Sequence, residues 1–122
     1  MTTKEERILD VLKSMKAESQ DIEALSVVSL DGLPVASYLP NGADEDRVAA
    51  LSATILSLGE RAADELKKGS LEQTFVKGND GYVIVPSVKN IAALMVVANK
   101  NAKLGMILLT LKKGMEQVKE II

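Results

Sequence analysis

The 122-residue chain predicts a single α+β domain, residues 1–122, built from segments in the order αββαβββα. Three segments repeat apolar residues at helical spacing, and five short segments are apolar or alternating and are separated by turn residues. Short loops make the paired strands antiparallel, and one five-stranded sheet needs helices on both faces. We expect the long second helix on one face and the two terminal helices on the other.

The chain begins with a predicted helix and a β-hairpin. Residues 4–17 carry apolar side chains at helical spacing, and Ala24–Leu30 is apolar enough for an interior strand. The dipeptide at 31–32, Asp-Gly, is a tight-turn signal, and Pro34–Leu39 supplies the second strand. Glycine accepts positive φ in this turn, and Pro34 opens a strand without needing a backbone donor.

A long helix is predicted over Asp44–Lys68. Acidic residues suit its N-terminus, and two lysines followed by Gly69 suit its end. At about 100° per residue, one arc is typical of core and contains Val48, Leu51, Ile55, Leu58, Ala62 and Leu66. The opposite arc is small or apolar, where a surface helix normally carries long charged side chains; it contains Ala49, Ala50, Ala53, Ser57 and, at its rim, Leu56 and Ala63.

A second hairpin follows the long helix. Leu71–Lys77 alternates as a strand, residues 78–81 form a turn, and Tyr82–Val88 returns. Pro86 predicts a strand end or a bulge in the return strand, because proline cannot donate to the ladder. The mixed pattern of the first of these strands suits a sheet edge.

The last strand and the last helix complete the domain. Ile91–Ala98 is the most apolar strand segment, which predicts a central place in the sheet. The segment Asn99–Asn101 offers a helix cap, and Leu104–Ile122 keeps helical spacing to the last residue.

The small-residue arc of the long helix predicts a docking surface. Small side chains let another backbone approach closely, and a soluble monomer rarely leaves such a strip in water. The alternative is an ordinary alanine-rich helix favoured by propensity alone. If the edge strand pairs with its symmetry mate, two sheets become one ten-stranded sheet with the long helices side by side across a two-fold axis.

The composition argues against a catalytic or metal-binding role. The chain has no Cys and no His, which removes thiolate nucleophiles, imidazole bases and two common metal ligands. The acidic residues Asp44, Glu45 and Asp46 are better explained as a helix start than as a metal site. The glycine-containing turn at 78–81 lacks the helix and lysine of a phosphate loop. We therefore expect no enzyme, no cofactor and no metal.

Nucleic acid and membrane are also unexpected as partners. The formal net charge is −2, and the aromatic residues Tyr38, Phe75 and Tyr82 are too scattered to form a stacking platform. No run of 18 apolar residues exists that would span a bilayer, and the charged first turn does not resemble a signal peptide. The absence of Cys fits a reducing interior, so we expect a cytoplasmic protein.

The chain resembles a roadblock-type domain, the family of the dynein light chain roadblock and of prokaryotic regulators of small Ras-like GTPases. The resemblance covers almost the whole chain, together with the element order. The matching stretches are Val27–Ser37, Asp46–Ala53, Leu58–Ala62, Gly69–Gln73 and Asn101–Gly105.

The resemblance implies a homodimer, or a heterodimer with a related chain, whose paired long helices bind a small GTPase. Some members act as GTPase-activating proteins by remodelling the switch regions without an arginine finger, and others are scaffolds that hold a GTPase or a motor subunit. Carried over by position, the contact residues are Arg47, Ala50, Ala53, Thr54, Ser57, Arg61 and Asp64, with Leu71, Gln73 and Phe75 at the sheet edge.

Three functions remain open at this point. The first is a dimeric platform that regulates a small Ras-like GTPase by favouring one switch conformation. The second is a purely structural light-chain-type scaffold that binds without changing turnover. The third is a small-ligand sensor domain, which needs a cavity with polar anchors and is disfavoured by the aromatic-poor, His-free composition.

Overall fold

The computed structural model describes residues 2–122 and confirms the predicted order of helices and strands. The helices are α1 (Lys4–Glu18), α2 (Glu45–Glu65) and α3 (Leu104–Ile121). The strands are β1 (Ile22–Ser29), β2 (Pro34–Tyr38), β3 (Gln73–Gly78), β4 (Gly81–Val88) and β5 (Ala92–Asn99).

The five strands form one antiparallel sheet in the order β2-β1-β5-β4-β3. The most apolar strand, β5, lies at the centre as predicted, because both of its faces are covered by helices. Strand β3 lies at one edge, also as predicted, and β2 lies at the other.

Two hydrophobic clusters lie on opposite faces of the sheet. The larger cluster packs α1 and α3 on the sheet through residues such as Leu12, Ile107 and Leu94. The smaller cluster packs α2 on the other face, where Leu56 meets Val85 and neighbouring strand residues. The expected separation of α2 from the two terminal helices is therefore present.

A charged contact joins the C-terminal end of α1 to the middle of α3. The ammonium of Lys113 donates to the Glu18 carboxylate at 2.8 Å. This hydrogen bond is the main cause that lowers the pKa of Glu18 below its ordinary value. The stability that the pair contributes is therefore present at neutral pH and is lost as the pH falls through that lowered pKa.

The first hairpin turns as predicted. Gly32 has a φ of 83°, in the left-handed region that glycine accepts readily, and its N–H donates to the Ser29 carbonyl. Pro34 is the first residue of β2, where its missing N–H is tolerated.

The prediction for Pro86 was wrong. It is buried inside β4, opposite Gln73 of β3, and is neither a strand end nor a bulge. The pairing of β4 with β5 skips this position but keeps one register, from Ile84 opposite Val96 to Ser87 opposite Ala93. The missing donor interrupts the ladder without adding a residue to it.

The predicted cap of α3 was also wrong. The capping position is Lys103, whose side chain makes no capping bond in the described chain. Asn99 instead holds the preceding loop, because its side-chain oxygen accepts from the Asn101 N–H at 2.9 Å and its amide donates to Asp21 at 3.1 Å.

Helix α2 ends earlier than predicted, at Glu65 rather than Lys68. The Lys68 N–H donates to the Ala63 carbonyl and the Lys67 N–H donates to the Asp64 carbonyl, which is the Schellman pattern. Lys67 takes the left-handed position with a φ of 57°, where glycine is the usual residue.

Replacing Lys67 with glycine should stabilise the protein. A non-glycine residue in the left-handed region costs about 1–2 kcal/mol, and the greater freedom of glycine in the unfolded chain offsets part of the gain. We expect Lys67→Gly to raise the free energy of unfolding by about 1 kcal/mol, measured by urea denaturation. Lys68→Gly is the control, since φ at Lys68 is not positive. Equal effects of the two substitutions would contradict the assigned end of α2.

Candidate interaction surface on helix α2 and strand β3

Helix α2 turns its small residues toward its own sheet. Ala49, Ser52 and Leu56 are its buried residues, and Val48 and Ile55 pack at the border of the same cluster. They lie against the strand residues Val85, Ala93 and Met95, with Val83 and Val97 beside them.

The predicted division of α2 into a core arc and a docking arc was therefore wrong in part. Leu51, Leu58 and Leu66, assigned to the core, are 53%, 65% and 70% exposed, and Ala62 is exposed as well. Ala49 and Leu56, assigned to the docking arc, are buried. The buried face is rotated by about 100° from the predicted one, which is the angular step of one residue.

The physical reason is a close approach of α2 to the sheet. The Ser52 hydroxyl donates to the Val48 carbonyl at 2.9 Å and lies 2.9 Å from the Met95 sulfur. Gly59 is half-buried on the same side of the helix, and Thr74 of β3 fills the space in which its Cβ would stand. Small residues do admit a neighbouring backbone here, but the neighbour is the protein's own sheet.

The helix residues carried over from the family resemblance lie on the outward side of α2. All of them except Ala53, which is half-buried, are exposed: Arg47, Ala50, Thr54, Ser57, Arg61 and Asp64. The guanidinium of Arg61 is 3.3 Å from the Glu65 carboxylate one helical turn further on. Both side chains are well exposed, so this pair contributes little to stability.

A groove of about 530 Å³ runs between the outward side of α2 and the β1–β2 turn, open to solvent. A Cβ built on Gly32 would be only 3.7 Å from Ala50 and Ala53, so the turn sits directly against the helix. The groove brings together most of the predicted helix residues; its lining is Leu30, Asp31, Gly32, Ala50, Ala53, Thr54, Ser57, Leu58 and Arg61.

The three predicted edge residues do not share that surface. Leu71 is half-buried in the cluster beneath α2. Gln73 and Phe75 are exposed and stand opposite Pro86 and Ile84, on the face of the sheet that carries the terminal helices. The predicted residues of α2 and the predicted edge residues therefore do not form one continuous surface, because Gln73 and Phe75 lie on the opposite face of the sheet.

Phe75 belongs to a small aromatic group on that second face. Its ring centroid is 5.7 Å from that of Tyr82, and the Lys77 ammonium lies 5.7 Å from the Tyr82 ring. A separate open groove of about 710 Å³ lies between this edge of the sheet and α3, where Leu108, Leu111 and Met115 line it together with lysines and glutamates.

Sequence reasoning missed several residues of the outward surface. Leu51 and Leu58 were assigned to the core, Val76 of the edge strand is 44% exposed on the α2 side, and the β1–β2 turn was given no site role. Gly59 was the available signal, since a glycine inside a helix usually has a packing reason. If the side of α2 that carries Gly59 faces the sheet, then Leu51 and Leu58 point outward, as the structure shows.

The acidic residues at the start of α2 form its cap and first turn. Among residues 2–122, no group of three or more acidic side chains could hold a metal ion. Asp44 caps α2 by accepting from the Arg47 N–H at 3.2 Å, which confirms that the acidic run is a helix start. Asn79 and Asp80 form the two-residue turn of the second hairpin, since Gly78 pairs with Gly81. No helix in the described part of the chain is both long and apolar enough to cross a membrane.

Comparison with known families gives a direct result. The model of the Roadblock/LC7 domain matches residues 8–98, which is most of the chain and includes most of α1, all of α2 and all of the sheet except the last residue of β5. The chain belongs to the Roadblock/LC7 family. The resemblance inferred from the sequence is thereby confirmed.

The similar curated proteins come from an archaeon. An uncharacterized protein of Methanocaldococcus jannaschii is 32% identical over 102 residues, covering 84% of this chain and 89% of its own length. A second uncharacterized protein of that organism is 31% identical with the same coverage.

Solved structures support the fold. MglB of Myxococcus xanthus superposes with a TM-score of 0.90 at 17% identity, over 99% of this chain and 91% of that one. The gliding protein MglB of Thermus thermophilus gives 0.85 at 21% identity, over 99% and 92%. A Roadblock/LC7 domain of Streptomyces avermitilis gives 0.85 at 18% identity, over 92% and 94%. At these identities the likeness concerns the fold alone.

Two serines of α2 test its orientation. Ser52 is fully buried and Ser57 is exposed. We expect Ser52→Asp to lower the free energy of unfolding by about 3 kcal/mol or more, because it buries an unpaired charge. Ser57→Asp should change it by no more than about 0.5 kcal/mol.

The measurement is urea unfolding at low protein concentration, where any self-association contributes least. A Ser52→Asp variant that unfolds as easily as Ser57→Asp, and no more easily than wild type, would contradict the burial of Ser52 against the sheet.

Proposed function

We propose that this protein is a dimeric binding platform that regulates a small Ras-like GTPase and supplies no catalytic residue of its own. The observation that carries the proposal is the outward side of α2. It exposes Leu51 and Leu58 among small side chains, beside a strand with an unpaired edge. The proposed setting is the cytoplasm.

Self-association is the first part of the proposal. An isologous contact places the same helix face of two copies together across a two-fold axis. The neighbours of Leu58 on that face include Ala50, Thr54 and Ser57, which are short enough for two helices to approach each other. Burial of the two exposed leucines removes apolar surface from water, at about 25 cal/mol per Å².

The edge strand supports the same geometry. Among residues 2–122, β3 pairs with β4 only, so one row of its backbone N–H and C=O groups is available for pairing. Pairing of β3 with the β3 strand of a second copy would form the ten-stranded sheet and cover Val76 and Phe75. Helix and strand contacts together would fall in the range of about 1,200–2,000 Å² of stable interfaces.

Binding of a small GTPase is the second part. The groove beside the β1–β2 turn is lined by apolar and small side chains together with the charged residues Arg61 and Asp31. Charged groups at an interface set partner orientation and specificity more than affinity. A partner held there with one switch conformation favoured would hydrolyse or exchange its nucleotide at a changed rate.

A light-chain-type scaffold would use the same dimer and the same groove. It differs in one respect, since a scaffold binds both switch conformations equally and so leaves turnover unchanged. Binding of the partner and the change in the partner's GTP turnover are therefore two separate measurements.

Self-association should depend on the outward side of α2. We expect Ser57→Arg to weaken it by at least about tenfold, which corresponds to about 1.4 kcal/mol, because two long charged side chains would be forced together. Sedimentation velocity over a dilution series measures the change. Gln117→Arg is the control, since Gln117 is an exposed helical position on α3.

A wild-type chain that sediments as a single copy at all concentrations would contradict the dimer. A Ser57→Arg variant that associates as well as wild type would place the interface elsewhere.

The effect on a partner is measured on the small Ras-like GTPase that co-purifies with the tagged wild-type protein. We expect wild-type protein to change its single-turnover rate of GTP hydrolysis, and Asp31→Lys to weaken that change without altering self-association, because Asp31 lines the groove from the β1–β2 turn and lies outside the proposed helix–helix contact. Binding with unchanged hydrolysis and exchange would favour the scaffold. Equal binding of wild type and Asp31→Lys would contradict the proposed groove.

A further inference from the structure

Gly59 occupies the closest contact between α2 and the edge strand. A Cβ built on it would overlap the hydroxyl oxygen of Thr74 in β3 and would stand 3.1 Å and 3.4 Å from the two methyl carbons of Leu71. Real Cβ atoms essentially never come as close to another atom as this Cβ would come to the Thr74 oxygen. No other residue type fits here without movement of the helix or the strand.

The contact has an unusual polar partner. The Thr74 hydroxyl oxygen is buried and has no hydrogen-bond partner among residues 2–122. A Cα hydrogen of Gly59 takes the direction in which a Cβ would stand, and it therefore points at that oxygen. This arrangement is typical of a weak Cα–H···O contact.

The neighbours of this contact face outward on both elements. Beside Gly59 on the helix stands Leu58, which lines the groove against the β1–β2 turn. Beside Thr74 on the strand stand Gln73 and Phe75, which are exposed at the free edge. The contact between Gly59 and Thr74 is therefore next in sequence to residues of both parts of the proposed interface, although Gln73 and Phe75 lie on the face of the sheet opposite to α2.

We propose that Gly59 is a positioning residue, which through Thr74 fixes the outward side of α2 relative to the edge of β3. This inference rests on the proposed function, since it assigns the two parts of one self-association surface to one contact. Gly59 itself is half-buried and faces the sheet.

The position of β3 relative to α2 depends on few contacts. Among the described residues the strand pairs only with β4, along its whole length, and its own side chains are mostly exposed. Leu71, which precedes it, and Thr74 are its half-buried anchors on the α2 side. A shift of the helix by a few tenths of an ångström therefore moves the edge relative to Leu58.

Thr74 cannot easily yield to a methyl group at position 59. Its β-branched side chain has restricted rotamers, so an added carbon pushes the backbone of one element away. Gly114 offers a contrast on the far face of the sheet. A Cβ there would meet the side chain of Met15, which is flexible and able to move aside.

The test compares Gly59→Ala with the matched control Gly114→Ala in the full-length chain. We expect Gly59→Ala to speed amide hydrogen exchange in β3 by about tenfold or more through local opening, and to weaken self-association by about tenfold. Gly114→Ala should leave both unchanged even where it lowers the melting temperature. The double variant Gly59→Ala/Thr74→Ala removes the overlapping hydroxyl and should restore both values.

Equal exchange rates in β3 for the two glycine variants would overturn the positioning role, whatever the oligomeric state. So would failure of the double variant to restore exchange. If exchange responds as expected while wild type sediments as a single chain, the contact between α2 and β3 stands. The self-association proposal, and with it the interface role of Gly59, is then overturned.

Discussion

The close packing of α2 on its own sheet is the constraint on which the rest of the structure depends. Ala49, Ser52 and Gly59 bring the helix close to the strands and leave room for few large side chains between them, so other bulky residues of α2 stand outward. Leu51 and Leu58 are exposed for this reason. The proposed interface is thus a consequence of how the helix meets the sheet, and both follow from where the small residues lie.

Most of the fold could be predicted from local signals. Asp31-Gly32 and the turn around Asn79 set two hairpins, and the apolar run of β5 identified the central strand, because a strand covered on both faces tolerates few polar side chains. These signals act over a few residues and do not depend on the partner against which each element packs. The family assignment rests on the same features and is confirmed by the match over residues 8–98.

The rotation of α2 could not be predicted in the same way. Both of its arcs are apolar or small, so periodicity alone leaves two solutions, and the larger side chains were taken for the core. The choice is made by shape, since Thr74 and Met95 of the sheet fit against glycine and serine but not against leucine. Asn99 shows the same limit on a smaller scale, because its side chain prefers Asp21, which is distant in sequence, to a cap of α3.

The central proposal is that the outward side of α2 meets the same side of a second copy across a two-fold axis perpendicular to the helix, so that the two helices run antiparallel. Since the sequence has no Cys, a single spin label can be attached through Glu65→Cys, an exposed position at the end of a helix of 21 residues. Pulsed dipolar spectroscopy then measures the distance between labels on two chains. The account predicts one narrow inter-chain distance, no longer than about 32 Å plus the label arms, from 1.5 Å per residue. A complete absence of dipolar coupling between labels on two chains, at the protein concentrations used for sedimentation of wild type, would contradict it.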